Sequence, residues 1–465
     1  MKIQPAEAIL PTLTAVTGIA CLAFWLAIGP PSDLVARTPG RDKTIDASAS
    51  AVRPEPGEPI VGVGVASDIS GQWPRFLGEN GDSIAVGGPP LARSWPAEGP
   101  PVLWSLEVGE GYAGAVVSQG RVYLLDYDKQ AEADTLRCFS LDDGREIWRN
   151  SYPIVVAFHH GMTRTVPAIV GNYVITMGPR CHLACWDALT GESKWLIDLE
   201  RDFGTRVPEW YTGQCPLVDQ DRLIVAPCGK SLMMAIDYKT GEVIWETPNP
   251  KGWNMTHVSV VPMEFKGRRS YVYCASGGVV GVAADDGSLL WETNAWKEIN
   301  ATGPSPVILP DGKIFLSRGY GSGALMLQLV ETDGKIEART VFDLQPKQFS
   351  SEQQTPIYRD GHLFGIRKIG AKTMVCMDLD GNQIWDSGRD RFGLGPYMFA
   401  DDLLLVLDDD GTLTLAEATV AGYKRLAQHA VLPGGHDAWG PMAIVDGRLI
   451  ARDMSRVVCL DLRAK

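Results

Sequence analysis

The sequence predicts an all-β chain: an eight-bladed β-propeller of four-stranded antiparallel blades, closed by an N-terminal strand and preceded by one N-terminal transmembrane helix. Three observations carry that expectation. A turn followed by tryptophan, or by another residue in two degenerate copies, recurs at spacings of 47, 50, 46, 47, 47 and 41 residues after Trp148, which is the period of a four-stranded blade. The units share an opening in which a proline introduces a short apolar strand, a tight turn and a second apolar strand. A single uncharged stretch near the start has the length of a bilayer-spanning helix.

Composition bounds the function classes. The 465 residues include 50 Gly and 31 Pro, a turn-rich usage, yet 45% are hydrophobic and 14 are Trp, enough for large cores. A net charge of −13 disfavours binding along a phosphate backbone, so nucleic acid is not an expected partner. Nine Cys with no CxxC or CxxCH string exclude a dense disulfide scaffold, a paired-CxxC zinc site and covalent haem of the usual kind.

In chain order, Ile9 to Gly29 runs 21 positions without a charge. At 1.5 Å per residue that is about 31 Å, close to a hydrocarbon core. The apolar run continues past Cys21, and no A-x-A site follows Gly29, so residues 1–30 are expected to form an uncleaved anchor. Arg37, Arg41 and Lys43 then run against the positive-inside bias, but long domains cross largely regardless of such charges. The bulk of the chain is therefore expected on the extracytoplasmic, periplasmic side of the cell membrane, held by a single-pass helix. Residues 31–72 are rich in Pro, Ala, Gly and Ser and read as a flexible linker, leaving 73–465 for the ring.

The repeat strings are LDDGREIW ending at Trp148, DALTGESKW at Trp195, DYKTGEVIW at Trp245, ADDGSLLW at Trp291 and DLDGNQIW at Trp385. Two degenerate copies, TDGKIEA and ATVAGYKRL, put Ala338 and Leu426 at the tryptophan position. Trp104 sits 44 residues before Trp148 without a preceding Asp-Gly turn, and RVVCLDL near Lys465 supplies the strand that should precede such a turn. Joining the two completes an eighth unit and leaves no unpaired sheet edge in the ring. Pro167, Pro216, Pro306, Pro356 and Pro441 mark first strands, where a ladder donor is dispensable. Each repeated indole is expected to wedge the seam between neighbouring blades, its N–H finding a backbone carbonyl of the adjacent blade.

These repeats resemble the pyrroloquinoline-quinone-type β-propeller family over about residues 73–465. The resemblance includes the lead-in Trp73-Pro74-Arg75-Phe76-Leu77-Gly78 and the stretch RDFGTRVPEW at residues 201–210. It implies one of two activities. Quinoprotein dehydrogenases hold the quinone (PQQ) and Ca²⁺ in the funnel of the ring. Scaffold proteins, such as the lipoprotein of outer-membrane β-barrel assembly, keep the ring without the cofactor. The dehydrogenases typically use a Glu, Asn and Asp set around Ca²⁺, a catalytic Asp and often a bonded pair of adjacent cysteines. No Cys-Cys dipeptide occurs here, and no ligand set can be matched residue by residue.

Residues just before each first strand should face the channel: Arg164, Gln214, His257, Ser305, Gln354 and Trp439. Arg164 could clamp a carboxylate and Trp439 could stack on a planar ring; an ordinary polar channel lining is the plainer reading. Cys138, Cys185, Cys376 and Cys459 recur at equivalent places in different blades and read as small buried residues. Cys181 and Cys185 share a strand face but are too stretched to pair easily. His159-His160 on a strand would point to opposite faces and could not chelate together. Asp408-Asp409-Asp410-Gly411 lies between two apolar runs and reads as a hairpin turn, not a calcium loop. The expected function is a membrane-anchored binding or scaffolding module without catalytic residues or a metal site, expected to be a monomer. Its expected partner is a protein, or a small-molecule or glycan ligand, at the funnel or loops. A quinone-dependent alcohol or sugar dehydrogenase with a divergent site is the alternative.

Overall fold

The computed structural model describes residues 16–24, 53–156, 163–298 and 301–464. The chain divides into two units, 1–44 and 45–465. In the first, residues 16–24 are helical. Among the described residues no helix is long and apolar enough to cross a membrane; the expected span Ile9–Gly29 reaches beyond them at both ends.

The second unit is built from eight antiparallel sheets. Blades 1 to 7 start at inner strands Val116–Ser118, Ala168–Val170, Leu217–Asp219, Val261–Phe265, Val307–Ile308, Ile357–Arg359 and Tyr397–Ala400. The eighth comprises Ala443–Val445, Arg448–Arg452 and Arg456–Asp461, with Val102–Glu107 as its outer strand. Trp104 lies opposite Cys459 in that pairing. Arg452, fully buried beside this join, donates to the carbonyls of Gly109, Ala113, Leu125, Asp453 and Met454 at 3.0–3.2 Å. One guanidinium thus ties the last blade to the first.

Pro167, Pro216, Pro306 and Pro356 stand directly before their inner strands, as the proline pattern predicts. The indole wedges are also present. The N–H of Trp104, Trp148, Trp195, Trp245 and Trp385 donates to Leu141, Ala188, Tyr238, Ala284 and Thr419 of the next blade, at 2.8–3.2 Å. In each case the acceptor lies three residues before the glycine of that blade's turn.

Trp291 departs from the expectation. Its neighbour, blade 5, replaces the four-residue turn by a two-residue hairpin at Asp333-Gly334, and the indole lies over Gly281 of its own blade. The degenerate copies need correcting for the same reason. All eight blades carry a one-residue register shift where the third strand pairs the fourth, directly after the residue facing the tryptophan position, and the shift at Met326/Leu327 sets Met326 opposite Phe342. In blade 7 the corresponding pair is Leu415 and Ala427. Phe342 and Ala427, not Ala338 and Leu426, therefore occupy the tryptophan position, because lengthened hairpins displaced the count.

Two stretches before the ring pack onto it. Ile60–Val61, inside the segment expected as linker, adds a fifth strand to the outer edge of blade 1. Residues 73–85 cross the inner face of the ring. Trp73 exchanges backbone hydrogen bonds with Val117 of blade 1, the Ile169 N–H of blade 2 donates to Pro74, and Ile84–Ala85 pairs parallel with Phe399 and Ala400 of blade 7.

Candidate functional site

The crossing segment divides the channel. On one side lies a cavity of about 290 Å³, walled by Arg75 to Ser83 and the inner strands of blades 3 to 6. On the other lies a cavity of about 330 Å³. Phe76, Cys215 and Ser259 border both, so the Phe76 ring and a belt of small side chains form the floor between them.

That belt is a chain of hydrogen bonds running from blade to blade. The Val166 N–H donates to Cys215 Sγ (3.2 Å), the Cys215 N–H to Ser259 Oγ (3.0 Å), the Ser259 N–H to Ser305 Oγ (3.2 Å) and the Ser305 N–H to Thr355 Oγ1 (3.0 Å). These residues hold one position, two residues before the inner strand, in five successive blades. There the backbone N–H has no ladder partner, and a short side chain from the next blade satisfies it. Cys215 is thus a structural acceptor; burial pushes its thiol up to about 11. Ser305 belongs to this belt and lines the smaller cavity.

Four of the sequence-predicted residues, Arg164, His257, Gln354 and Trp439, line the larger cavity together. Gln214 does not. It is fully buried, its amide accepting from the Ala226 N–H (2.8 Å) and donating to the Ala226 carbonyl (3.1 Å), so it braces its own blade.

The larger cavity has one aromatic and one polar wall. Trp439 stacks on Tyr112 with centroids 5.0 Å apart and planes 27° from parallel. Its indole N–H donates to Asp409 Oδ1 (2.8 Å), which also accepts from the Leu394 N–H (2.6 Å). The triple-aspartate stretch is thus a hairpin turn, as predicted, and in addition sets the angle of Trp439. The Arg164 guanidinium lies 5.7 Å from the Tyr112 ring centroid, and burial pushes it down to about 10. Gln354 Nε2 donates to the Leu394 and Trp439 carbonyls, both at 3.2 Å. His257 is buried, and neither ring nitrogen has a hydrogen-bond partner among the described residues; Glu298 Oε1 is 3.9 Å from Nδ1.

Sequence reasoning missed Tyr112, Trp210, Tyr320 and Gln353 in this lining. Trp210 and Tyr211 both have φ near 68°, a left-handed conformation costly for large side chains, and this bend carries Trp210 into the cavity. The string RDFGTRVPEW marked the segment without revealing its direction. His159-His160 falls outside the described residues.

The quinone-type resemblance implies Ca²⁺, which takes six to eight oxygens and usually several carboxylates. Among the described residues lining the larger cavity there is no Asp or Glu. Nor does any group of three His, Cys, Asp or Glu among the described residues offer a metal site. The lining does not fit that ion. Cationic and aromatic surface remains, suited to an acidic or planar group.

A family model described as outer membrane protein assembly factor BamB matches residues 132–379, more than half of the sequence. The chain belongs to this family. The crystal structure of BamB from Moraxella catarrhalis is similar in fold, with a TM-score of 0.54 at 14% identity over 78% of this chain and 98% of that one. The computationally designed Ika8 protein has a TM-score of 0.51 at 11% identity over 77% and 99% of the two chains. The quinohemoprotein alcohol dehydrogenase from Comamonas testosteroni is similar more loosely, with a TM-score of 0.43 at 14% identity over 85% and 81%. No curated protein sequence matches the chain.

Proposed function

We propose that this BamB-family propeller is a binding and scaffolding module for a protein partner, held at the extracytoplasmic face of the membrane by residues 9–29, and that it does not oxidise alcohols or sugars. The observation that carries this reading is the channel. A segment of the chain itself fills its middle, and the described lining of the larger cavity beyond offers no carboxylate for a metal. Family membership supports a protein partner, since the matching description is of an assembly factor. The 21 uncharged positions from Ile9 to Gly29 support the tether. The join of Val102–Glu107 to the last blade would make the ring rigid enough to present loops in fixed positions.

Arg164, His257, Gln354 and Trp439 give the cavity a secondary role as a small pocket for an acidic or ring-bearing group, the guanidinium facing charge and the Tyr112–Trp439 face taking the ring. Purified full-length protein supplied with pyrroloquinoline quinone and Ca²⁺ is expected to show no dye-linked alcohol or sugar oxidation. Turnover that appears only with both additions would establish the dehydrogenase reading instead.

A further inference from the structure

Outside the channel, the least explained feature is the fifth strand on blade 1. Residues 60–65 read Ile-Val-Gly-Val-Gly-Val. The Gly62 and Gly64 N–H groups donate to the Ile147 and Glu146 carbonyls, both at 2.8 Å. The strand itself is Ile60–Val61, where Val61 stands opposite Trp148 between bonded positions and so turns its N–H and C=O away from the blade; the N–H groups of Val63 and Val65 in the extension beyond it have no partner among the described residues. The glycines are required by contact: a Cβ at Gly62 would stand 2.0 Å from the Glu146 carbonyl oxygen, and one at Gly64 2.3 Å from that of Arg145. The valines between them are 79%, 83% and 75% exposed. An edge that pairs this closely on one side and carries a valine row with unpaired backbone on the other is shaped to receive a strand.

We propose that Ile60–Val65 is a docking edge for an extended protein segment with apolar residues at alternate positions and basic residues on either side. This rests on the reading of the chain as a protein-binding module and places the contact. Charge selects the partner. Glu55 and Glu58 precede the edge and Asp68 follows it, whereas Arg53 is bonded to Asp202 at 2.6 Å and Arg145 is paired with Asp143. A second copy is a poor occupant even though Val-Gly-Val-Gly-Val reads the same in both directions. Antiparallel self-pairing centred on Val63 would set Glu58 against Asp68 twice and join two chains each of charge −13.

The test uses full-length protein in detergent and a fluorescent peptide of alternating Val and Thr with two Lys at each end, read by anisotropy. Saturable binding is expected, weakened at least tenfold by Val63→Pro, which removes an unpaired N–H while leaving the bonds of Gly62 and Gly64. Val63→Thr, which keeps that N–H, should bind as wild type, and unchanged melting of both variants confirms the fold. Equal peptide binding by wild type and Val63→Pro overturns the proposal. So does a wild-type dimer in sedimentation that Val63→Pro dissociates. An unfolded outer-membrane β-barrel polypeptide captured equally well by wild type and Val63→Pro would remove the edge as the site but leave the scaffold reading standing. Wild-type protein that binds neither peptide nor polypeptide would remove both.

Discussion

The indole of one blade and the turn glycine of the next act as a pair. Trp148 donates to Ala188, and a Cβ on Gly191, at φ 77°, would come within 2.5 Å of its ring. The same fit holds between Trp104 and Gly144, Trp195 and Gly241, and Trp245 and Gly287. The residue facing each indole across the strand is small for the same reason: Cys138, Cys185, Ala235, Gly281, Cys376 and Cys459. Trp148→Ala should cost about 3–5 kcal/mol in denaturant unfolding, as for a fully buried large side chain, and the more exposed Trp385 should cost less. Gly191→Ala, which needs both a strained φ and a shifted indole, should also destabilise; a variant as stable as wild type would contradict the pairing.

A second residue-scale prediction concerns pH. Burial pushes the Asp134 carboxyl up to about 7, against the opposing pull of the Thr163 and Tyr152 hydroxyls that donate to it. Below about pH 4 both folded and unfolded chains carry this proton. Between about pH 4 and 7 only the folded chain retains it, so this group lowers stability by about 1.4 kcal/mol per unit as pH rises. Asp134→Asn should flatten that window in unfolding measured against pH. Parallel profiles for variant and wild type would show that Asp134 does not titrate there.

Among the elements, the tight blades were legible from sequence and the long hairpins were not. Asp-Gly or Thr-Gly turns at a fixed distance from tryptophan located blades 1 to 4 and 6. Blade 5 extends to Ala324–Thr332 and Lys335–Leu344 around a two-residue turn, which displaces its core aromatic to Phe342. A Cβ on Gly381 of the next blade would stand 3.3 Å from the Phe342 ring, so the seam survives with a different side chain. The crossing segment escaped sequence reading too, because a single pass has no period. Trp73 anchors it, buried over Gly78 and bonded through its backbone to Val117. Trp73→Ala should release the segment. In native-state hydrogen exchange, the amides of Ser83 and Phe399, which donate to Leu77 and Ser83, should lose protection while those around Trp148 keep it. Uniform loss would instead indicate general destabilisation.

For the whole molecule, periodicity predicted the ring and its number of blades because repetition averages out local irregularity. The cavity was only partly readable. Counting back from each first strand found Arg164, His257, Gln354 and Trp439 but also Gln214, since a position before a strand can face the channel or its own blade. Tyr112 and Trp210 reach the cavity, and Asp409 reaches Trp439 behind its lining, through loops that the period does not fix. The central claim is a ring whose last sheet is completed by a strand from the other end of the globular chain. Ser105 and Val458 are direct partners in that pairing. The double variant Ser105→Cys, Val458→Cys, oxidised and run on a non-reducing gel, should form an internal crosslink that shifts migration and is reversed by thiol. Failure to crosslink in protein that melts as wild type would contradict the closed ring.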